Sequence, residues 1–229
     1  GYTYLWNTSE LTEDISNLSA GTYSVNITDA NSCAIDTSIV LSEPIPLQAS
    51  LVSTDYNGYD ISCNSYSDGG IDLTVTGSVL GYTYLWNTSE LTEDISNLQA
   101  GTYSINIIDA NSCTIDTSII LSEPTPLQIS IVSATDYNGY NISCNGYSDG
   151  GAVVTVIGSV PGYNYLWANG ETNSNATSLF AGSQNVVVTD TNSCTIDTSI
   201  VLSEPTPLQV SILSVTDYNG YNISCNGYS

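Results

Sequence analysis

Residues 81–86 read GYTYLW, and the same six residues stand at positions 1–6. A third copy, GYNYLW, lies at 162–167. Around these hexapeptides, residues 1–44 differ from 81–124 at only five of 44 aligned positions, and the motifs ISCN, NSC and SEP keep the same spacing. The period of 80 to 81 residues exceeds the roughly 20–50 residues of solenoid repeats. It predicts one small domain for each period.

The period divides the chain into four predicted segments. Residues 1–44 correspond to the C-terminal part of a repeat, 45–124 and 125–205 to two complete repeats, and 206–229 to the N-terminal part of a further one. The boundaries carry Pro-x-Pro (EPIP and EPTP), which favours a short, stiff and extended connection. The two end pieces together lack a counterpart of residues 68–80, DGGIDLTVTGSVL, which resembles a whole strand with its turns. We therefore expect an excerpt of a longer array.

The charge composition is one-sided. The chain has 23 acidic residues, no lysine, arginine or histidine, and a net charge of −23. Without cations it cannot replace the counterions of a phosphate backbone, which argues against nucleic-acid binding, and it should avoid anionic membrane surfaces. No apolar run is long enough to insert in a membrane. The absence of trypsin-type cleavage sites suits an extracellular protein, although compositional drift explains it equally well.

The local patterns are those of β-strands. In IDLTVTG (71–77), apolar and polar residues alternate, which indicates a strand with one buried face. LQASLV (47–52), TYSINII (102–108) and TIDTSIIL (114–121) alternate in a similar way, and Gly- and Asn-rich turns separate them. Some seven short strands in each period predict an all-β protein of tandem immunoglobulin-like β-sandwich domains in an end-to-end array. Trp86 would lie at the centre of one core, with Tyr82 and Tyr84 on the same face.

Several motifs in a fixed order carry a family resemblance. CNGYSDGG, TVIGSVPGYNYLW, LTEDISNLQAGTYSINIIDANSCT and a closing SEP resemble the SprB-repeat family of bacterial cell-surface proteins, which are tandem modules of gliding-motility adhesins. The sequence departs from the usual family pattern at Ser65, in DANSC and in AGSQ (181–184). The resemblance implies an extracellular, surface-displayed protein without enzymatic activity.

The cysteines number two in each period, and disulfides are expected in a secreted array; they are Cys33, Cys63, Cys113, Cys144, Cys194 and Cys225. No C-x-x-C pair favours zinc. Pairing within a domain would join Cys63 to Cys113 and Cys144 to Cys194. However, ISCN should lie at one end of a sandwich and DANSC at the other, roughly 17–23 Å apart, whereas a disulfide needs Cα atoms within about 7 Å. End-to-end stacking would instead let Cys63 reach Cys194, with Cys113 and Cys144 pairing outside the excerpt. Both patterns stay open.

Acidic turns predict a possible calcium site, because Ca²⁺ prefers six to eight oxygen ligands. The SDGG and DANS-type turns would face each other across a domain boundary, and the candidate ligands are Asp29, Asn31, Asp68, Asp109, Asn111, Asp149, Asp190 and Asn192. The alternative is that these residues form ordinary Asx turns.

Tyrosine is abundant, with 17 residues against one phenylalanine. Those in turn-rich sequence near the predicted boundaries would lock neighbouring domains or form an exposed binding surface; they are Tyr56, Tyr59, Tyr66, Tyr137, Tyr140, Tyr147, Tyr218, Tyr221 and Tyr228. N-x-S/T sequons allow glycosylation or occur by chance in so Asn- and Ser-rich a chain; they begin at Asn7, Asn17, Asn26, Asn87, Asn141, Asn175 and Asn222.

The residue inventory argues against an enzyme. Without histidine, lysine or arginine there is no Ser–His base, Schiff-base amine or cationic clamp. The best acidic cluster, ELTED (90–94), becomes ETNSN in the third copy. We expect the shaft of an extracellular filament or cell-surface adhesin, in which neighbouring repeats bind each other to form a protease-resistant rod. The alternative is an adhesive array whose modules bind surface polysaccharide or another ligand.

Overall fold

The computed structural model describes residues 1–215, 217 and 219–222, and these residues form β-strands, turns and loops without a helix. Their fifteen strands are β1 (Thr3–Trp6), β2 (Gly21–Thr28), β3 (Ala34–Leu41), β4 (Gln48–Ser53), β5 (Gly69–Thr76), β6 (Thr83–Trp86), β7 (Ile95–Leu98), β8 (Gly101–Ile108), β9 (Thr114–Leu121), β10 (Gln128–Ala134), β11 (Gly150–Ile157), β12 (Asn164–Trp167), β13 (Asn175–Leu179), β14 (Gly182–Thr189) and β15 (Thr195–Leu202). None of the described residues belongs to a helix long and apolar enough to span a membrane.

The strand order is that of an immunoglobulin-like sandwich. Strands β10, β11 and β13 form one sheet and β12, β14 and β15 another, so the chain changes sheet at each of the three steps from β11 to β14. This is the A–B–E and C–F–G arrangement of immunoglobulin domains. Strands β4 to β9 repeat it as β4–β5–β7 and β6–β8–β9, and β1–β2–β3 forms a sheet with the order of the second type. The predicted all-β, immunoglobulin-like class is confirmed.

The number of strands in a repeat differs from the expectation. Six strands lie between Gln48 and Leu121, and six between Gln128 and Leu202, where about seven were predicted. The segment after β6 forms turns instead of a further strand, because the backbone NH of Trp86 donates to the carbonyl of Glu90 (3.0 Å) and its indole NH donates to that of Thr92 (3.0 Å). These bonds hold the chain in a compact loop.

The described residues divide into two compact units. The first contains Gly1–Ser53, Gly70–Ser96 and Gly101–Ile120. The second contains Thr54–Gly69, Asn97–Ala100 and the described residues from Leu121 onward. The loop between β4 and β5 therefore belongs to the second unit, together with the complete sandwich of β10 to β15.

Each unit buries a tryptophan of the GYTYLW-type sequence. In the first, Trp86 on β6 is buried, and its strand alternates exposed and protected residues as predicted. In the second, Trp167 is 2% exposed in a cluster with Val154, Leu179 and Val188. Burying an aliphatic side chain of this kind stabilises the fold by about 1.5–3 kcal/mol. This cluster is the core of the β10–β15 sandwich.

A glycine seats the Pro-x-Pro segment in each unit. Gly158 has φ +84°, and a Cβ there would lie 2.0 Å from the carbonyl oxygen of Pro126. Gly77 has φ +85° and the same approach to Pro46. A side chain at either position would be strained and would push the proline segment away. The next residue, Ser159, holds the segment by donating its backbone NH to the carbonyl of Thr125 (2.9 Å).

Candidate functional site: a disulfide-linked joint

The β4–β5 loop, residues 54–68, is built around a buried isoleucine. Ile61 is fully buried, and its Cδ1 atom would lie 2.5 Å from a Cβ on Gly69, so a side chain at residue 69 would force Ile61 to shift. The backbone NH groups of Asp60 and Ile61 both donate to the carbonyl of Ser122 (3.1 Å each). The carboxylate of Asp68 accepts from the backbone NH of Ser62 (3.1 Å) and from its hydroxyl. These contacts fix the conformation of the loop and do not involve the β14–β15 turn.

The β14–β15 turn, residues 190–194, is organised by one buried carboxylate. Asp190 is 3% exposed, and its Oδ1 accepts from the backbone NH of Cys194 (2.8 Å). Its Oδ2 accepts from the hydroxyl of Ser159 and the backbone NH of Val160 (3.2 Å). These donors satisfy the hydrogen-bonding capacity of the buried carboxylate without a cationic side chain. Ser193, just before the cysteine, takes a left-handed φ of 69°.

The loop and the turn meet within the second unit. Cys63 and Cys194 form a disulfide across 131 residues, with their Cα atoms 5.7 Å apart. Beside it, the side-chain amide of Asn192 donates to the carbonyls of Tyr56 (3.1 Å) and Ser62 (3.0 Å). The carbonyl oxygen of that amide accepts from the side chain of Asn57 (2.5 Å). We call this contact the joint; it consists of residues 56–66 of the loop and the β14–β15 turn.

The joint shields its disulfide from solvent. Cys63 is 5% exposed and Cys194 6% exposed, and the Sγ of Cys194 lies 3.3 Å from the carbonyl oxygen of Ser62. A reductant can therefore reach the disulfide only when the loop opens. The sequence analysis did not identify Asn57 and Ser62, because no local pattern distinguishes them from other turn residues. It predicted Asn192 as a metal ligand, whereas the structure places Asn192 in the joint.

The remaining cysteines divide into free and undescribed ones. Cys33, Cys113 and Cys144 are free and exposed. Because Cys63 is bonded to Cys194, the intradomain pairs Cys63–Cys113 and Cys144–Cys194 do not form. Cys225 lies outside the described residues, as do Tyr218 and Tyr228 among the predicted joint tyrosines.

The predicted calcium ligands accept hydrogen bonds from the protein. Asp109 accepts from the hydroxyl of Ser78 and from backbone NH groups of its own turn. Asp149 accepts from the hydroxyl and the backbone NH of Ser143. Asp29 accepts from the backbone NH groups of Asn31 (2.8 Å) and Cys33 (2.8 Å). The described part of the chain has no group of three or more Asp, Glu, Cys or His residues able to hold a metal. These bonds are those of the turn alternative, in which the oxygens serve the backbone. Calcium binding stays a prediction.

Two of these carboxylates have shifted acidities. The hydroxyl of Ser143 lowers the pKa of Asp149 below its ordinary value of 3.8, helped by the serine's backbone NH. The hydroxyl of Ser78 likewise lowers the pKa of Asp109, against an opposing effect of burial and with help from the backbone NH of Cys113. Hydrogen bonds to the charged form are the cause in both cases.

The predicted joint tyrosines occupy two kinds of position. Tyr56 and Tyr59 are half-buried in the β4–β5 loop, where they pair through their backbones (2.7 Å). The other described members of the set are exposed, each by 40% or more; they are Tyr66, Tyr137, Tyr140, Tyr147 and Tyr221. Their role in holding domains stays a prediction.

Five of the predicted glycosylation sites use the side-chain amide to which a glycan would attach, and one of them, Asn17, donates it to the hydroxyl of Ser16 (3.5 Å). Asn7, Asn26, Asn87 and Asn141 donate it to Thr22, Asp36, Thr102 and Thr135 respectively, at 2.8–3.1 Å. Asn17, Asn175 and Asn222 are exposed. Glycosylation stays a prediction.

The fold and the joint together indicate a class of protein. It consists of repeated immunoglobulin-like modules in which a disulfide connects a loop to a turn distant in the sequence. The SprB repeat family model matches residues 59–91 and 140–172. Each match runs from the loop before β5 or β11 to the segment after β6 or β12. These two segments are SprB repeats, and the family predicted from the sequence motifs is confirmed. The two matches support repeat modules of the cell-surface adhesin type in this chain.

Two solved structures have weak similarity to this chain. A C-terminal 282-residue fragment of intimin, solved with the intimin-binding domain of its translocated receptor, is 13% identical over 80% of this chain, with a TM-score of 0.30. The chain spans 57% of that fragment. Dpr2 Ig1–Ig2, solved with DIP-Theta Ig1–Ig3, is 12% identical over 89% of this chain and 90% of that one, with a TM-score of 0.29. No curated protein sequence matches. Our assignment of the fold rests on the strand order and not on these likenesses.

Proposed function

We propose that this chain is a shaft segment of an extracellular filament or cell-surface adhesin, in which covalent joints hold consecutive repeats end to end. The observation that carries the proposal is the Cys63–Cys194 disulfide. By the sequence period, Cys63 belongs to the repeat 45–124 and Cys194 to the repeat 125–205. A bond between them would brace two domains whose contacts would otherwise be too small to fix their angle.

The composition of the joint supports a mechanical and extracellular role. Disulfides persist in oxidising environments outside the cytoplasm. The chain offers no Lys–Xaa or Arg–Xaa bond to trypsin-like proteases. Asn192 adds hydrogen bonds beside the disulfide, and these bonds further restrict movement of the loop relative to the turn. No catalytic role forms part of this proposal, and the partners are neighbouring repeats of the same chain or filament.

Electron microscopy and small-angle scattering of the purified chain test the proposal. A domain with strands of this length and loops at both ends is roughly 35–40 Å long. We expect a rod with domains repeating at about that interval, and flexible beads with intact circular dichroism after reduction. Cys194→Ser should give the same beads without reductant, whereas Cys113→Ser, which removes an exposed free thiol, should remain a rod. Flexible beads in the untreated sample would refute the shaft role.

A second candidate function follows from a cavity in the β10–β15 sandwich. Its volume is about 400 Å³, and Tyr137, Asp149 and Asn175 lie in its wall with residues of β10 and β11. An aromatic ring beside carboxylate and amide groups suits a saccharide, which would make the chain an adhesive array that binds surface polysaccharide. Glycan-array binding that Tyr137→Ala abolishes would favour this function. Unchanged binding in that variant would remove the cavity from it.

A further inference from the structure

The joint contains an Asn–Gly dipeptide at its edge. Asn57 and Gly58 are both exposed, and both take a positive φ, of 55° and 91° respectively. In such a dipeptide, the backbone nitrogen of the glycine can attack the side-chain amide carbon of the asparagine, because glycine has no side chain to hinder the approach. Water, which completes this reaction, has free access to both residues. The dipeptide is therefore chemically suited to lose ammonia.

Two hydrogen bonds oppose this reaction in the folded chain. The backbone NH of Gly58 donates to the Oδ1 of Asp55 (2.7 Å), and a carboxylate at that distance disfavours loss of the NH proton, which would leave a negative charge on the nitrogen. The side-chain amide of Asn57 donates to the side-chain oxygen of Asn192 (2.5 Å). Ring closure needs the same amide to turn back onto the Gly58 nitrogen. The bond to Asn192 must therefore break first.

The β10–β11 loop repeats the same turn and separates the two effects. DYNGY stands at 55–59 and again at 136–140. Asn138 has the same φ of 55°, and the backbone NH of Gly139 donates to the Oδ1 of Asp136 at the same distance of 2.7 Å. The bond to Asn192 is made by Asn57. The two asparagines thus share their local sequence and their aspartate contact, and the joint contact distinguishes Asn57.

We propose that Asn57 is a site of spontaneous deamidation that the closed joint keeps as asparagine, and that its conversion to aspartate or isoaspartate weakens the joint. The Gly58 nitrogen loses its proton to solvent and bonds to the Cγ of Asn57. The side-chain nitrogen then leaves as ammonia with a proton from solvent. Water breaks one of the two N–C bonds of the resulting five-membered ring, at Cγ to give aspartate or at the main-chain carbon to give isoaspartate. One water is consumed for each ammonia released, and no oxidant is needed.

A carboxylate at residue 57 does not fit the closed joint. The side-chain amide of Asn192 donates to the carbonyls of Tyr56 (3.1 Å) and Ser62 (3.0 Å), so its oxygen faces residue 57. A carboxylate would replace the donor there by a second acceptor. Rotating the Asn192 amide would relieve this contact but would turn its oxygen toward the two carbonyls. Deamidation therefore removes one bond of the joint and leaves an oxygen without a donor.

The first test compares the two asparagines within one full-length chain. The chain is incubated in mildly alkaline buffer, and the mass increase of the peptides that contain Asn57 and Asn138 is followed by mass spectrometry; their flanking residues differ, so the peptides are distinguishable. We expect Asn57 to convert about tenfold more slowly than Asn138, as the loss of one hydrogen bond would imply. Asn192→Ala should accelerate Asn57 and leave Asn138 unchanged. Asn111→Ala, in the equivalent turn outside the joint, should change neither rate.

Equal conversion of the two asparagines in the parent chain would overturn the proposal. An unchanged rate at Asn57 in Asn192→Ala would overturn it as well, because the protecting contact would then lie elsewhere. The rate at Asn138 shows in the same sample whether a variant has disturbed the β10–β11 loop.

The second test measures the effect of conversion on the joint. Asn57→Asp should accelerate reduction of the Cys63–Cys194 disulfide about tenfold, whereas Asn138→Asp, the same change in the other DYNGY turn, should not alter the rate. Aged parent chain gives a measurement without a variant, because Asn57 and Cys63 are close enough in sequence to be read on one peptide. Molecules reduced early should be enriched in converted Asn57, and equal reduction of converted and unconverted molecules would overturn the proposed weakening.

This inference goes beyond the shaft role and does not depend on it. The shaft role fails if the untreated chain forms flexible beads in microscopy. The present proposal fails on the rates of deamidation and reduction, which are measured on the same joint whatever the shape of the chain.

Discussion

Replacing Asn192 by alanine should open the joint without unfolding either sandwich. The side chain of Asn192 donates to Tyr56 and Ser62 and accepts from Asn57, and it packs beside a disulfide whose two cysteines are 5% and 6% exposed. A net hydrogen bond contributes about 0.5–1.5 kcal/mol. Because the site is only partly buried, we expect the three bonds together to stabilise the closed loop by about 2 kcal/mol.

The rate of disulfide reduction measures this opening. A dithiol reductant reaches the sulfurs only when the loop opens, so the observed rate follows the population of the open state. Since 1.4 kcal/mol corresponds to a factor of ten, Asn192→Ala should be reduced about 30-fold faster than the parent chain. Thiol alkylation at timed intervals, followed by mass spectrometry of the Cys63 and Cys194 peptides, gives the rate directly.

Asn111→Ala is the matched control, because Asn111 lies exposed in the equivalent β8–β9 turn and outside the joint. It should leave the reduction rate unchanged, and both variants should keep the parent's thermal unfolding in the oxidised state to within a degree or two. Equal reduction rates in Asn192→Ala and the parent chain would refute the role assigned to the side chain. Equal acceleration by Asn111→Ala would show that the effect is not specific to the joint.

Three further outcomes are expected. Trp167→Ala should lower the free energy of unfolding of its sandwich by about 3–5 kcal/mol in urea titrations followed by circular dichroism, whereas Leu166→Ala, on the exposed face, should change it by about 0.5 kcal/mol or less. Ser143→Ala should raise the pKa of Asp149 toward its ordinary value of 3.8. The depressed pKa stabilises the folded state above pH 3.8, and this stabilisation is lost as the pH falls through the pKa of Asp149 in the folded protein. Acid unfolding of the variant should therefore begin at a higher pH than that of the parent chain. Identical acid unfolding profiles would contradict this. A calcium chelator should leave the melting temperature unchanged, because the predicted aspartate ligands already accept hydrogen bonds from the protein. A calcium-dependent rise in the melting temperature, or binding in calorimetry, would contradict this and favour the cation site.

Local sequence patterns were sufficient to predict individual strands and the immunoglobulin-like class. IDLTVTG and TYSINII alternate with a period of two, and the structure places them in β5 and β8 with the predicted faces buried. Alternation is a property of neighbouring residues along one strand, so it needs no knowledge of the partner strand. The expected number of about seven strands was one too many for each complete repeat, and the segment after Trp86 is held in turns by hydrogen bonds to the tryptophan, which no periodicity reveals.

The positions of the cysteines relative to the strands were equally readable from the sequence, but their pairing was not. ISCN was predicted to lie in the loop between the first two strands of a domain, and Cys63 does lie between β4 and β5. The NSC motif was predicted to follow the turn between the last two strands, and Cys194 does lie between β14 and β15. Reasoning from the sequence left intradomain and interdomain pairs open. Only the packing that brings two Cα atoms to 5.7 Å across 131 residues decides between them.

By itself, then, the sequence determined the repeat, the β-strands and the acidic turns of this protein, because each is encoded within one period of a nearly repeated chain. The tertiary structure decided what those turns do. The motifs around Cys113 and Cys194 are almost the same, yet one cysteine is exposed and the other is buried beneath a loop. The bond to Cys194 comes from a loop 131 residues away, and no local pattern links residues at that separation.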